Sequence, residues 1–129
     1  MRFFGLLGLV LVAVAACAFA YAARPGGWGD EPREVVLVAR DMAFTAPGGA
    51  TGPNPTLRLR AGERIRLVLE NRDPGMKHDV VAPGLGIRTA TVEFAATDRR
   101  LITVPRTPGT YDYFCTYHDR LMRGQMVVE

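Results

Sequence analysis

Apolar residues alternate with arginine along residues 57–69, and this alternation limits the fold more than anything else in the chain. Leu57, Leu59, Ile65, Leu67 and Leu69 take every second place, while Arg58, Arg60, Arg64 and Arg66 stand between them. Side chains on a strand point to alternate faces, so a period of two puts the leucines on a buried face and the arginines in water. A helix would spread the same residues around its circumference. Ala61-Gly62-Glu63 separates the two runs as a turn or bulge. The arginines are therefore expected to form the solvated face of a hairpin, with a docking patch for an acidic partner as the other reading.

The rest of the chain repeats the pattern in shorter pieces. Glu34 to Phe44 is rich in valine, ends in D-M-A-F and reads as a first strand. Residues 46–55, A-P-G-G-A-T-G-P-N-P, must be a loop. Asn71 to Pro74 ends the second leucine run. Val80 and Val81 restart extended structure, and Pro83-Gly84-Leu85-Gly86 breaks it. Thr89 to Phe94 and Arg100 to Val104 are further strand candidates. Pro108-Gly109 turns the chain into Thr110 to Thr116, and Met126 to Glu129 closes it as a last strand. About seven or eight short strands at this spacing predict an all-β, antiparallel β-sandwich. No segment has a sustained helical period; the exception is a short helical turn around residues 95–99 or 118–123.

The beginning of the chain is of another kind. Arg2 precedes an uncharged stretch from Phe3 to Ala23. A basic start, an apolar run and small residues mark an export signal, cleavable after Ala20 or Ala22. The stretch is also long enough to stay as a membrane anchor. Val14-Ala15-Ala16-Cys17 offers a third outcome, because it resembles a bacterial lipobox with Cys17 as the lipidated residue. All three place the remainder outside the cytoplasm, in the periplasm or on the outer face of the cytoplasmic membrane, and residues 3–23 allow membrane association. The expected organisation is signal or anchor at 1–23, a Gly/Pro-rich linker at 24–33 and one domain at 34–129.

Without the leader, roughly 105 residues remain, enough for one sandwich-sized core. Cys115 is then the domain's one cysteine. Exported proteins usually pair their cysteines, so a single one is either buried and inert or bound to metal. Its surroundings favour metal. Residues 111–126 read Y-D-Y-F-C-T-Y-H-D-R-L-M-R-G-Q-M, so Cys115, His118 and Met122 lie within eight positions. The other histidine, His78, sits in a turn-like segment, N-R-D-P-G-M-K-H-D. Two imidazoles, a thiolate and a weak axial thioether are the ligands of a blue-copper electron-transfer site. Tyr111, Tyr113 and Cys115 alternate along one strand and should point inward, with His118 and Met122 on the loop that follows. Asp79 is a candidate to hydrogen-bond near Thr116 and tie the two ligand segments together. Met126 competes for the axial place but falls where the last strand should begin. Met76 reads as a loop methionine and Met42 as packing.

Residues 34–129 resemble the cupredoxin family of plastocyanin, azurin and amicyanin. The resemblance rests on Asn71 to Val81, on the Cys-x2-His-x3-Met loop followed by Gly124 and a terminal strand, on T-L-R-L-R-A-G-E-R-I-R-L-V-L-E-N, and on Tyr111 after Pro108-Gly109. It implies a Greek-key β-sandwich with one copper ion, His78, Cys115 and His118 as equatorial ligands and Met122 as axial ligand. Its departures are a His-to-Met spacing between those of plastocyanin and amicyanin, and Asp79 where plastocyanins commonly carry Asn. The dinuclear site of cytochrome oxidase subunit two needs a second loop cysteine, and position 119 here is Asp.

Several function classes drop out. A net charge of +3 with mixed signs is not that of a nucleic-acid binder. The catalytic centres of copper enzymes need more than two histidines. Cys115 and His118 are too close in sequence for a hydrolase nucleophile and base from separate segments. Thioether is a poor zinc ligand and a good copper one. The expectation is a non-enzymatic electron carrier acting between redox partner proteins, with a copper-delivery protein serving a copper-receiving partner as the alternative.

Overall fold

Residues 31–48 and 52–129 are described by the computed structural model. The expectations for the leader and for linker residues 24–30, including lipidation at Cys17, lie outside the described residues, as do residues 49–51 of the long loop. The strands in chain order are β1 (Arg33–Arg40), β2 (Ala43–Thr45), β3 (Leu57–Leu59), β4 (Arg64–Asn71), β5 (Val81–Ala82), β6 (Ile87–Arg88), β7 (Thr97–Thr103), β8 (Gly109–Phe114) and β9 (Arg123–Val128). Among the described residues a single 3-10 turn, Pro83–Leu85, joins β5 to β6. No helix among the described residues is long and apolar enough to cross a membrane.

The strands form two sheets, ordered β2-β1-β4-β7 and β3-β9-β8-β5-β6. The all-β sandwich expected from the sequence is present. Its pairing is not purely antiparallel: β1 runs parallel to β4, and β3 parallel to β9. A parallel neighbour requires a crossover connection. Here the chain leaves β1, visits the opposite sheet at β3, and returns to β1 in the same direction as β4.

That crossing also corrects the expected hairpin. Strands β3 and β4 both bury their leucines, but they do not pair with each other. They belong to opposite sheets, and the turn Arg60–Glu63 carries the chain across the end of the sandwich, with Gly62 in the left-handed region at φ 77°. Arg58, Arg60 and Arg64 are exposed and Arg66 half-buried, so they lie on two different solvated faces.

Two other strand assignments change. The first expected strand is split by Asp41 and Met42, at φ 52° and 59°, in a two-residue turn that pairs Arg40 with Ala43. Met42 is thus half-buried in a turn, not packed in the core. The Thr89–Phe94 segment contributes only one bridge, between Val92 and His78. The Thr89 hydroxyl accepts from the Val80 amide, the Ala90 amide donates to Asp98, and Ala95 turns left-handed before β7 starts. Residues 95–99 form no helical turn. At 118–122 one turn does form, with the Met122 amide donating to the His118 carbonyl at 2.9 Å.

The core lies between the sheets. Leu37, Ile65, Leu67 and Leu69 face Leu59, Tyr113 and Met126, and all are buried. Each such side chain contributes about 1.5–3 kcal/mol relative to exposure. Phe44 of β2 meets Tyr113 of β8 with ring centroids 5.7 Å apart, and the Tyr113 hydroxyl donates to the Pro55 carbonyl at 2.6 Å.

Glu63 secures the crossing turn. Its carboxylate accepts from Arg33 at 2.6 Å and from the Arg60 amide at 2.8 Å. Burial raises its pKa, but these hydrogen bonds and the charges of Arg33 and Arg60 outweigh burial and leave it below the ordinary 4.5. Its stabilisation is therefore complete above the unfolded-state value and is lost as pH falls through the lower folded-state one. Arg33 is half exposed, so solvent screening limits the effect. Glu63→Gln should cost about 1 kcal/mol at neutral pH. Urea unfolding should show the gap from the unsubstituted protein closing as pH drops below that range.

Candidate metal centre

Two loops at one end of the sandwich meet through a short set of hydrogen bonds. The first begins where β4 ends. Asn71 is buried, and its side-chain amide donates to the carbonyls of Met76 at 2.8 Å and Val92 at 2.9 Å, while its oxygen accepts from the Asp73 amide. These bonds fold residues 71–77 into a tight connection that Pro74 and Gly75 permit. The chain then delivers His78, whose amide and carbonyl both pair with Val92. The His78 ring is fully buried, with Nε2 2.9 Å from the Asp73 carboxylate.

The second loop joins β8 to β9. The last ladder pair is Phe114 with Arg123. The ladder continues one step further, because the Cys115 amide donates to the Met122 carbonyl at 3.0 Å. Directly opposed residues of an antiparallel pair share a face. Cys115 and Met122 therefore both point inward, and both are fully buried. Between them the chain turns on His118, whose amide donates to the Cys115 carbonyl and whose own carbonyl receives the amides of Leu121 and Met122. His118 is half-buried and connects the site to the surface.

Asp79 joins the loops in the way the sequence suggested. The Thr116 amide donates to one carboxylate oxygen at 2.7 Å and the Thr116 hydroxyl to the other at 2.6 Å. The residue after His78 thus holds the residue after Cys115.

The Cys115 Sγ stands 3.7 Å from His78 Nδ1 and 3.6 Å from His118 Nδ1. The donor atoms of the three residues lie within 4.8 Å of one another. Two donors bonded to one ion at about 2.0 and 2.3 Å, with about 120° between them, stand about 3.7 Å apart. The observed separations meet that requirement, and the donor types are those of a copper site. Burial raises the pKa of the Cys115 thiol, against the opposing pull of the Asp79, Tyr117 and His118 amides. Burial also lowers the pKa of His78, although Asp73 works the other way, so the ring is neutral and able to donate a lone pair.

Met122 has its backbone beside Cys115, whereas Met126 pairs with Leu57 and Tyr111 inside β9. Met76 is exposed in the first loop. Sequence reasoning passed over Asp73. Its signal was a carboxylate five residues before a histidine across a Pro-Gly turn, which read only as the end of a strand.

The fold and site together define a β-sandwich with a largely buried His-Cys-His cluster positioned for one copper ion. The cupredoxin-like domain family matches residues 9–128, and the chain belongs to that family. No curated protein sequence matches it. Among solved structures it resembles the multicopper oxidase McoA from the hyperthermophile Aquifex aeolicus, with TM-score 0.62 and 16% identity over 75% of this chain. That match covers 26% of the oxidase, so this chain spans about a quarter of it. Auracyanin A, a "blue" copper protein from the green thermophilic photosynthetic bacterium Chloroflexus aurantiacus, aligns at TM-score 0.58 and 16% identity, covering 76% of this chain and 99% of auracyanin. A variant of amicyanin in its reduced Cu(I) form aligns at TM-score 0.52 and 29% identity, covering 74% of this chain and 82% of amicyanin.

Cys115→Ser should abolish most copper binding, because it removes the cluster's one thiolate. Titration of the metal-free protein with Cu(I) and Cu(II), followed by metal analysis, checks this; undiminished binding would place the copper elsewhere.

Proposed function

We propose that the domain is a mononuclear blue-copper protein that carries single electrons between redox partner proteins, with His78, Cys115 and His118 as equatorial ligands and Met122 as the weak axial ligand. The observation that carries this reading is the triangle of donors, with sulfur 3.7 and 3.6 Å from the two imidazole nitrogens, held by loops that are braced to each other. Copper supplies the one-electron couple. The chain's residues keep the donors in place whether or not an electron is present. The ladder bond at Met122 fixes Cys115, the Val92 bridge fixes His78, and the Asp79–Thr116 pair stops the two loops from separating. A site that needs little rearrangement on oxidation or reduction suits transfer better than release, which favours a carrier over a copper-delivery protein.

The same reading makes the chain a non-enzyme. Its two histidines are both committed to the cluster, leaving none for a second, catalytic copper centre. Export is the part of the proposal that rests on residues 1–23 as signal or anchor and 24–32 as linker, since Arg33 already opens β1. The periplasm or the outer face of the cytoplasmic membrane is then the working compartment, where a lone cysteine is protected by burial and by metal.

Residues 24–129 loaded with copper should bind one ion and absorb intensely in the visible through thiolate-to-copper charge transfer. A colourless Cu(II) complex, or two ions per chain, would end the blue-site reading.

The two buried methionines separate in a second test. Met122→Leu should keep copper and raise the reduction potential, because an axial donor that favours Cu(II) is gone. Met126→Leu should leave the potential nearly unchanged, being a volume-conserving core swap that costs less than about 1.5 kcal/mol. Voltammetry of both variants decides, and a shift confined to the Met126 variant would reverse the assignment.

A further inference from the structure

Asp73 is a buried carboxylate with no arginine or lysine partner among its ion-pair contacts in the described residues; its only such contact is His78. Three donors converge on it. The Asp41 amide donates to Oδ1, the Met42 amide donates to Oδ2 at 3.2 Å, and Nε2 of His78 lies 2.9 Å from Oδ2. The two amides belong to the β1–β2 turn, where both residues are left-handed without being glycine. Successive backbone N–H groups in a turn make a concavity for an anion. Asp73 fills it with one of its oxygens still turned toward the ligand histidine.

An ionised carboxylate can only accept a hydrogen bond. Nε2 of His78 must therefore carry the ring proton, which leaves the Nδ1 lone pair facing Cys115 Sγ across 3.7 Å. A carboxylate behind a ligand imidazole fixes its tautomer and raises its basicity. A negative charge on that side of the ring also favours the more highly charged metal ion. We infer that Asp73 is a positioning residue for His78 that holds its Nδ1 toward the metal and lowers the reduction potential of the site. This rests on the blue-copper reading above for its redox half, while the hold on the tautomer stands independently of copper.

Asp73→Asn keeps the side-chain shape and removes the charge. It should retain the visible charge-transfer absorption and favour Cu(I) over Cu(II) by about tenfold more than the unsubstituted protein. That is an upward shift of about 59 mV for a one-electron couple. The same substitution also weakens the turn, so it should be repeated in a protein carrying Asp41→Asn and Met42→Gly, the residue pair such a turn prefers. An equal shift there supports the inference. A shift that vanishes once the turn supports itself, or an unchanged potential with absorption intact, overturns it.

Nitrogen-15 NMR of the metal-free protein gives the second arm. His78 should be wholly the Nε2–H tautomer, and Asp73→Ala should yield a mixture. A tautomer indifferent to Asp73→Ala overturns the positioning role. If the unsubstituted copper protein has no visible charge-transfer band, the electron-carrier reading and the redox half fall together, while this arm still reads the contact itself.

Discussion

The backbone hydrogen bond from the Cys115 amide to the Met122 carbonyl is the contact on which the site depends. It extends the β8–β9 ladder by one step beyond its last regular pair and turns the intervening residues into a closed loop. Both flanking side chains consequently face the interior, and His118 is carried on the single turn between them. Residues that are close in sequence thus become close in space through one strand pairing. The sandwich supplies the fourth residue, His78, from the opposite end of the sequence gap, and the Asp79 carboxylate bolts that segment to Thr116. This tie adds to the pairing of Val81 with Phe114, which joins the strand after His78 to the strand before Cys115.

Burial poses an electrostatic problem that local hydrogen bonds resolve. A thiol removed from water resists ionisation, and Cys115 has a raised pKa for that reason. The amides of Asp79, Tyr117 and His118 offset part of the penalty, which keeps the sulfur available to a metal that displaces its proton. His78 faces the same penalty with the opposite consequence, since burial keeps the ring neutral and its lone pair free. Burial raises the pKa of Asp73 beside them, but the Asp41 and Met42 amides and His78 outweigh burial and hold it below the ordinary carboxylate range.

Local chemistry was legible in the sequence, and long-range partnership was not. Cys115, His118 and Met122 could be grouped because a short loop leaves them little freedom, and the leucine–arginine alternation correctly identified buried faces. Periodicity states which face of a strand is buried but is silent about its neighbour. The run at 57–69 consequently read as a hairpin, although β3 and β4 lie in opposite sheets. The Asp41–Met42 turn was invisible for a related reason. Asp-Met carries no turn signal, and the carboxylate that accepts its amides is more than thirty positions away in Asp73. Asp73 itself escaped notice because its sequence context, Asp-Pro-Gly, has an adequate explanation as a strand terminator.

Core and site meet at Gly124. This residue opposes Tyr113 in the ladder, and a Cβ added to it would stand 2.6 Å from carbons of the tyrosine ring. The ring cannot retreat, because it is fully buried, packs on Phe44 and is tethered through its hydroxyl to Pro55. Glycine at the loop exit is thus what allows an aromatic side chain to lie across the strand pair. Tyr113 shares its face with Cys115 two residues later, so the same packing that fills the centre of the sandwich also sets how deeply the cysteine enters it. The identity of Gly124 follows from the core, yet its consequence is felt at the sulfur atom. The residues that fill the core are thus the ones that set where the cluster's cysteine lies.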